Sequence, residues 1–169
     1  MLKRMLIAAG LMLCLQAPQA AEPAVLPPVQ VYVPGLCLSC MEWAAHLREN
    51  GFTVTISEAA DMAALKRRLK VPAEVESVHT ATVGPYFVEG HVPADDIKML
   101  LKEKPKARGI AVPGLPMGAP GREATGSASS CESGCTILEQ TEAGRIPRRE
   151  FYNTLLVAPD GKTSVYARH

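Results

Sequence analysis

Val29-Gln30-Val31-Tyr32-Val33-Pro34-Gly35-Leu36-Cys37-Leu38-Ser39-Cys40-Met41-Glu42-Trp43 is the stretch whose reading decides the fold. Its first five residues are apolar at alternate positions, which predicts a strand. Met41 to Asn50 reads as a helix, closed by Gly51. Cys40, Trp43, Ala44 and Leu47 fall on one helical face, with Glu42, Arg48 and Glu49 outside. Two cysteines in C-x-x-C spacing thus stand where a strand gives way to a helix. Unpaired N–H groups and the helix dipole at that point favour thiolate over thiol, so Cys37 should be the more acidic sulfur. Such a sulfur can attack a disulfide or hold a soft metal ion.

Upstream, Lys3 and Arg4 precede an apolar run from Met5 to Leu15 and a small-residue ending at Ala20-Ala21. That is the pattern of a secretory signal peptide over residues 1–21. The run is shorter than the roughly 20 residues that a membrane span needs. Leu13 argues against lipid attachment at Cys14. Residues 22–28, rich in Ala and Pro, read as a flexible leader, and residues 29–169 as a single domain. Without Lys3 and Arg4, the 18 basic residues fall to sixteen against 17 acidic ones, a charge near −1. A nucleic-acid partner is not expected of such a surface. Export places Cys37, Cys40, Cys131 and Cys135 in the periplasm, where disulfides persist.

Downstream, Phe52-Thr53-Val54-Thr55-Ile56 alternates and predicts a strand. Ser57 reads as the N-cap of a helix from Glu58 to Leu69, with Met62, Leu65 and Leu69 inward. Lys66-Arg67-Arg68 and Lys70 read as a solvated basic helix end. His79 to Val83 and Tyr86 to Glu89 predict paired strands turning at Gly84-Pro85. Pro93-Ala94 opens a helix to Lys104, striped by Ile97, Leu100 and Leu101. The order β-α-β-α-β-β-α is that of an α/β, thioredoxin-like fold, a central mixed sheet with flanking helices. In that fold Val71-Pro72 would be a cis-proline facing the cysteines. Residues 107–121 read as irregular and Gly/Pro-rich. Residues 122–149 read as a polar insertion with a short helix near 136–141. Phe151 to Val157 and Thr163 to Ala167 predict a C-terminal hairpin around Pro159-Asp160-Gly161-Lys162.

Trp43, Ser77-Val78-His79-Thr80-Ala81, Val88-Glu89-Gly90-His91-Val92-Pro93, Val112-Pro113-Gly114-Leu115-Pro116 and Val165-Tyr166-Ala167-Arg168 follow one another along the chain. Together they resemble the CopG-like family of periplasmic copper-resistance proteins, over residues 29–121 and 150–169. The resemblance implies a thioredoxin-like domain that binds copper through cysteine sulfur, with His and Met nearby. Its usual Cys-x-Cys-Cys has Ser39 at the middle cysteine here. Val78 replaces a further cysteine, Leu115 a methionine in Pro-Gly-Met-Pro, and Arg122 a later methionine.

Cys37 and Cys40 lie one helical turn apart, so both sulfurs can meet one ion or each other. Three readings stay open: a site for Cu(I), which two thiolates suit; a redox dithiol with Cys37 as nucleophile and Cys40 as resolving thiol; and a structural staple. So short a loop gives a staple little entropic purpose. A histidine is more often a hydrogen-bonded structural residue than a ligand. The motif context makes His91 a candidate ligand, and so does the position of His79 beside the replaced cysteine. Met117 is a candidate soft ligand, although such a residue is more often packing. Cys131 and Cys135, spaced i, i+4, could fold back and supply the two missing sulfurs. The expected function is periplasmic binding of copper, as Cu(I) or a similar soft ion, for buffering and resistance. A copper donor or acceptor protein would be its partner, and thiol–disulfide exchange is the enzymatic alternative.

Overall fold

The structure, a computed structural model, describes residues 25–122, 138–141, 144–147 and 150–169. The leading strand β1 (Val29–Val33) runs into helix α1 (Leu38–Glu49), then β2 (Val54–Glu58) and α2 (Met62–Leu69). A 3-10 turn at Ala73–Val75 leads to β3 (Thr80–Val83), β4 (Tyr86–Glu89), α3 (Ala94–Glu103) and β5 (Gly109–Ala111). A separate ribbon, β6 (Leu138–Thr141) and β7 (Gly144–Pro147), precedes the hairpin β8 (Asn153–Val157) and β9 (Thr163–Arg168).

Seven strands form one mixed sheet in the order β2-β1-β3-β4-β5-β8-β9. β1 runs parallel to β2, while β3 is antiparallel to both β1 and β4. The α3 crossover then makes β5 parallel to β4, and β8 and β9 continue antiparallel. The β-α-β and β-β-α halves meeting at β1 and β3 are the thioredoxin-like arrangement expected from the sequence, extended by three strands at one edge.

Strand alternation sorts the side chains onto two faces. Val29, Val31 and Val33 of β1 and Val88 and Ile110 of β4 and β5 pack with Trp43 and Leu47 of α1 and Ile97 and Leu100 of α3. Phe87 and Ala111, one position away from Val88 and Ile110, join Val71, Val75 and Val157 in a second cluster with Leu69 of α2. The sheet therefore carries α1 and α3 on one face and α2 with the 3-10 turn on the other.

Several expectations need correction. Ser57 and Glu58 do not open a helix, because they pair with Tyr32 and Val33 in β2. The cap is Asp61, whose Oδ1 accepts the Ala64 N–H at 2.8 Å. No described peptide bond is cis. Pro72 instead precedes the 3-10 turn in trans, and the chain entering β3 at His79 is what reaches the α1 end. Residues 109–111, expected to be irregular, form β5 because they sit between β4 and β8. Leu138–Thr141 is a strand paired to β7, not a helix; residues 136–137 lie outside the described residues. Lys66 is buried at 5%, not solvated, because its ammonium pairs with the carboxylate of Glu89.

Candidate functional site at the start of the first helix

Cys37 is the N-cap of α1, with extended backbone, and its sulfur accepts the Cys40 N–H at 3.3 Å. The helix thus begins three residues before its sequence pattern, because the capping sulfur satisfies an otherwise orphaned donor. Cys37 and Cys40 are joined as a disulfide, their Cα atoms 5.3 Å apart. Cys40 is wholly buried and Cys37 partly exposed, so an attacking group meets Cys37. Leu36, Leu38 and Met41 stand exposed around it. Ser39, where the resembled family has cysteine, is buried, with its Oγ 3.7 Å from the Cys37 sulfur.

One turn further on, Trp43 donates its indole N–H to the Val92 carbonyl at 2.8 Å. The Trp43 ring lies 4.4 Å from that of His79, which lies 4.9 Å from the ring of His91 in edge-to-face contact. Both histidines are fully buried. His91 Nδ1 is 2.8 Å from the Pro120 carbonyl oxygen. A carbonyl can only accept, so Nδ1 carries the proton and Nε2 presents its lone pair. Histidines that bind metals are commonly held this way by a backbone carbonyl. Among the described residues His91 Nε2 and both ring nitrogens of His79 find no hydrogen-bond partner of good geometry.

Burial pushes the His91 imidazole down to about 4; its bond to Pro120 opposes this, and the nearby Arg122 charge adds to it. Burial also pushes His79 well below its ordinary value, helped by the charges of His91 and Lys66, with the Gly90 backbone pulling the other way. Both rings are therefore neutral at neutral pH, the state in which imidazole can act as a ligand.

The segment after β5 closes the site. Gly121 adopts φ +76°, and a Cβ there would meet the Trp43 nitrogen at 2.6 Å and the Ser39 carbonyl oxygen at 2.8 Å. Only glycine lets this backbone lie against the first turns of α1. Met117 is buried, and its sulfur accepts from Arg122 Nη2 at 3.3 Å. Glu150 holds the same segment by accepting the Met117 N–H and donating its own N–H to the Met117 carbonyl.

The structure thus brings His79 and His91 together against Trp43, one turn along α1 from Cys40, and places Met117 beside Arg122. Among the described residues no three His, Cys, Asp or Glu side chains are grouped to hold a metal ion. Cys131 and Cys135 lie outside the described residues. Sequence reasoning missed Lys66 and Glu89. Glu89 is fully buried, accepting from Lys66 Nζ at 2.5 Å, from the Ser77 N–H at 2.6 Å and from the Thr80 hydroxyl at 2.6 Å. Burial raises its carboxyl, against these bonds and the Lys66 charge. An acid ending the apolar run Tyr86-Phe87-Val88 was a signal for Glu89. Nothing set Lys66 apart from its basic neighbours.

A family described as "Protein of unknown function, DUF411" matches residues 75–122, the segment holding both histidines. Two solved structures titled copper resistance protein CopG, forms 1 and 2, are similar to the chain. Each has 35% sequence identity and a TM-score of 0.69, covering 85% of this chain and 98% of its own. No curated protein sequence matches.

Proposed function

The chain belongs to the CopG family of copper resistance proteins, and on that premise we propose that it binds copper as Cu(I) through Cys37 and Cys40 once their disulfide is reduced. Membership supports a copper-related function. The observation that carries the finer reading is a pair of bonded sulfurs at the start of α1, one helical turn before Trp43, whose ring packs on buried His79 and through it on His91. Thiolate and imidazole are a donor set that suits Cu(I). Cys37 receives the ion, Cys40 shields it, and His79 and His91 serve as further ligands or as supports. Met117, with its sulfur turned to Arg122, is a reserve ligand. Cys131 and Cys135 are candidates to complete the sulfur set.

The ion is cargo: the protein buffers copper or passes it between a donor and an acceptor protein in the periplasm. Residues 1–21 direct export, residues 22–28 are a leader, and residues 29–169, with the 122–149 insertion, are the working domain. No helix among the described residues is long and apolar enough to cross a membrane. Anaerobic Cu(I) titration of the reduced chain lacking residues 1–21 tests this. Tight stoichiometric binding, lost on Cys37→Ser, is expected; no binding would sink the reading.

The disulfide itself favours a second reading, thiol–disulfide exchange. A partner thiolate attacks the partly exposed Cys37 sulfur, the Cys37–Cys40 bond breaks, and Cys40 leaves as thiolate at the helix N-terminus. A second thiol of the partner then resolves the mixed disulfide, leaving the partner oxidised and both cysteines reduced. Disulfide formation in a dithiol substrate mixed with the oxidised chain, abolished by Cys37→Ser, distinguishes this role from storage.

A further inference from the structure

Copper binding and disulfide exchange through the cysteines leave Glu89 and Lys66 without a task. Their placement supplies one. Lys66 Nζ donates to Glu89 Oε1 and also to the Ser77 carbonyl, at 2.5 Å each, while Glu89 Oε1 accepts the Ser77 N–H. Both backbone polar groups of Ser77 are thus taken by one ion pair. Glu89 Oε2 accepts from Thr80, so His79 sits on a short span held on both sides. The same junction gathers the closing segment, since the Ser77 hydroxyl donates to the Gly114 carbonyl. Gly90 makes the crossing possible: at φ +73°, a Cβ there would meet the Val112 carbonyl oxygen at 2.3 Å and Ser77 Cβ at 2.8 Å.

Among the described residues the His79 ring makes no hydrogen bond of good geometry; the Gly90 backbone and the rings of Trp43 and His91 flank it. Its orientation must come from the backbone that carries it. A buried ion pair is also a poor device for stability alone, because desolvation offsets the attraction. We propose that Lys66 and Glu89 are positioning residues that clasp Ser77 and so hold His79 between Trp43 and His91 as a preformed ligand. This rests on the copper reading for its purpose, though not for its geometry.

The experiment replaces the pair by apolar groups of similar size, Lys66→Met with Glu89→Leu, in the reduced chain without residues 1–21. Trp43 is the single tryptophan, so its near-ultraviolet circular dichroism reports its contact with His79 without copper. The double variant should unfold cooperatively near the parent's melting temperature. Its Trp43 signal should fall by about half, and Cu(I) affinity by about tenfold or more, as for lost supports of metal ligands. An unchanged Trp43 signal in the folded variant overturns the assignment whatever copper does. Unchanged affinity, in a parent that binds Cu(I), also overturns it. If the parent binds no Cu(I), the copper reading fails alone and the Trp43 signal still decides the clasp. Should the double variant not fold, Glu89→Gln keeps the shape and is read in the same two ways.

Discussion

Two of the buried clusters of polar side chains among the described residues are treated differently by the fold. Where the C-terminal hairpin meets α3, every group has a partner. Asp96 Oδ2 accepts from the Thr154 hydroxyl at 2.5 Å and from His169 Nε2 at 2.9 Å, and His169 stacks on Tyr152. Beside α1, His79 and His91 are more deeply buried than His169, yet three of their four ring nitrogens find no hydrogen-bond partner among the described residues. Buried polar atoms are nearly always hydrogen-bonded, and leaving one unmade costs free energy. The satisfied cluster is what a fold builds to close itself. The unsatisfied one is the cluster from which the proposed copper site takes its imidazoles.

That contrast can be broken by substitution. The largest effect belongs to the clasp, a satisfied charge: Glu89→Leu leaves buried Lys66 only the longer, half-exposed pair with Glu76 at 3.7 Å and should cost about 3–5 kcal/mol in denaturant unfolding. Adding Lys66→Met should recover most of it. A loss that stays the same in the double variant would mean that packing, not charge, held the junction.

Acid should act next, in copper-free protein. The native pKa of His91 is lowered from 6.5 to about 4, so its contribution is complete above pH 6.5 and is lost as pH falls through 4. At about 1.4 kcal/mol per pKa unit, His91 alone removes about 3 kcal/mol by pH 4. His79 is shifted the same way and adds to the fall. Glu89, with its carboxyl raised, opposes it, since native protein then takes up its proton first. Melting temperature measured from pH 7 to pH 4 should drop, and His91→Leu should flatten the profile. An identical slope in that variant removes the histidine from the account.

Thr154→Val tests the satisfied cluster at its neutral member. It removes a buried hydrogen bond to a carboxylate and should cost about 1.5–3 kcal/mol. His79→Leu is the smallest and sharpest contrast. With no ring hydrogen bond of good geometry to lose among the described residues, it should change copper-free stability by less than about 1 kcal/mol, or raise it, while weakening Cu(I) binding. Equal losses from Thr154→Val and His79→Leu would erase the distinction between the clusters.

Much of the fold was legible because it is locally encoded. Alternation in Val29–Val33, the stripe of Ile97, Leu100 and Leu101, and the turn at Asp160-Gly161 each depend on neighbours a few residues away. β5 was not legible. Gly109-Ile110-Ala111 is too short to show a period and is a strand only because β4 and β8 flank it. The α2 boundary went wrong because Ser57 and Asp61 are both good caps, and pairing with β1 chose between them. Of the candidate site, the disulfide-bonded cysteines and the neighbouring histidines were visible as motifs, but nothing local marked Lys66.

By itself the sequence determined the strand–cysteine–helix unit, the order of the core elements and the identity of the sulfur and imidazole groups. All of these rest on spacing along one segment. Only the tertiary structure decided that His79 stands beside Trp43 and His91, that Met117 turns its sulfur to Arg122, and that Lys66 is buried against Glu89. The reason is physical. Whether a polar atom is paired depends on groups brought together from distant parts of the chain, and its desolvation exists only once they have met.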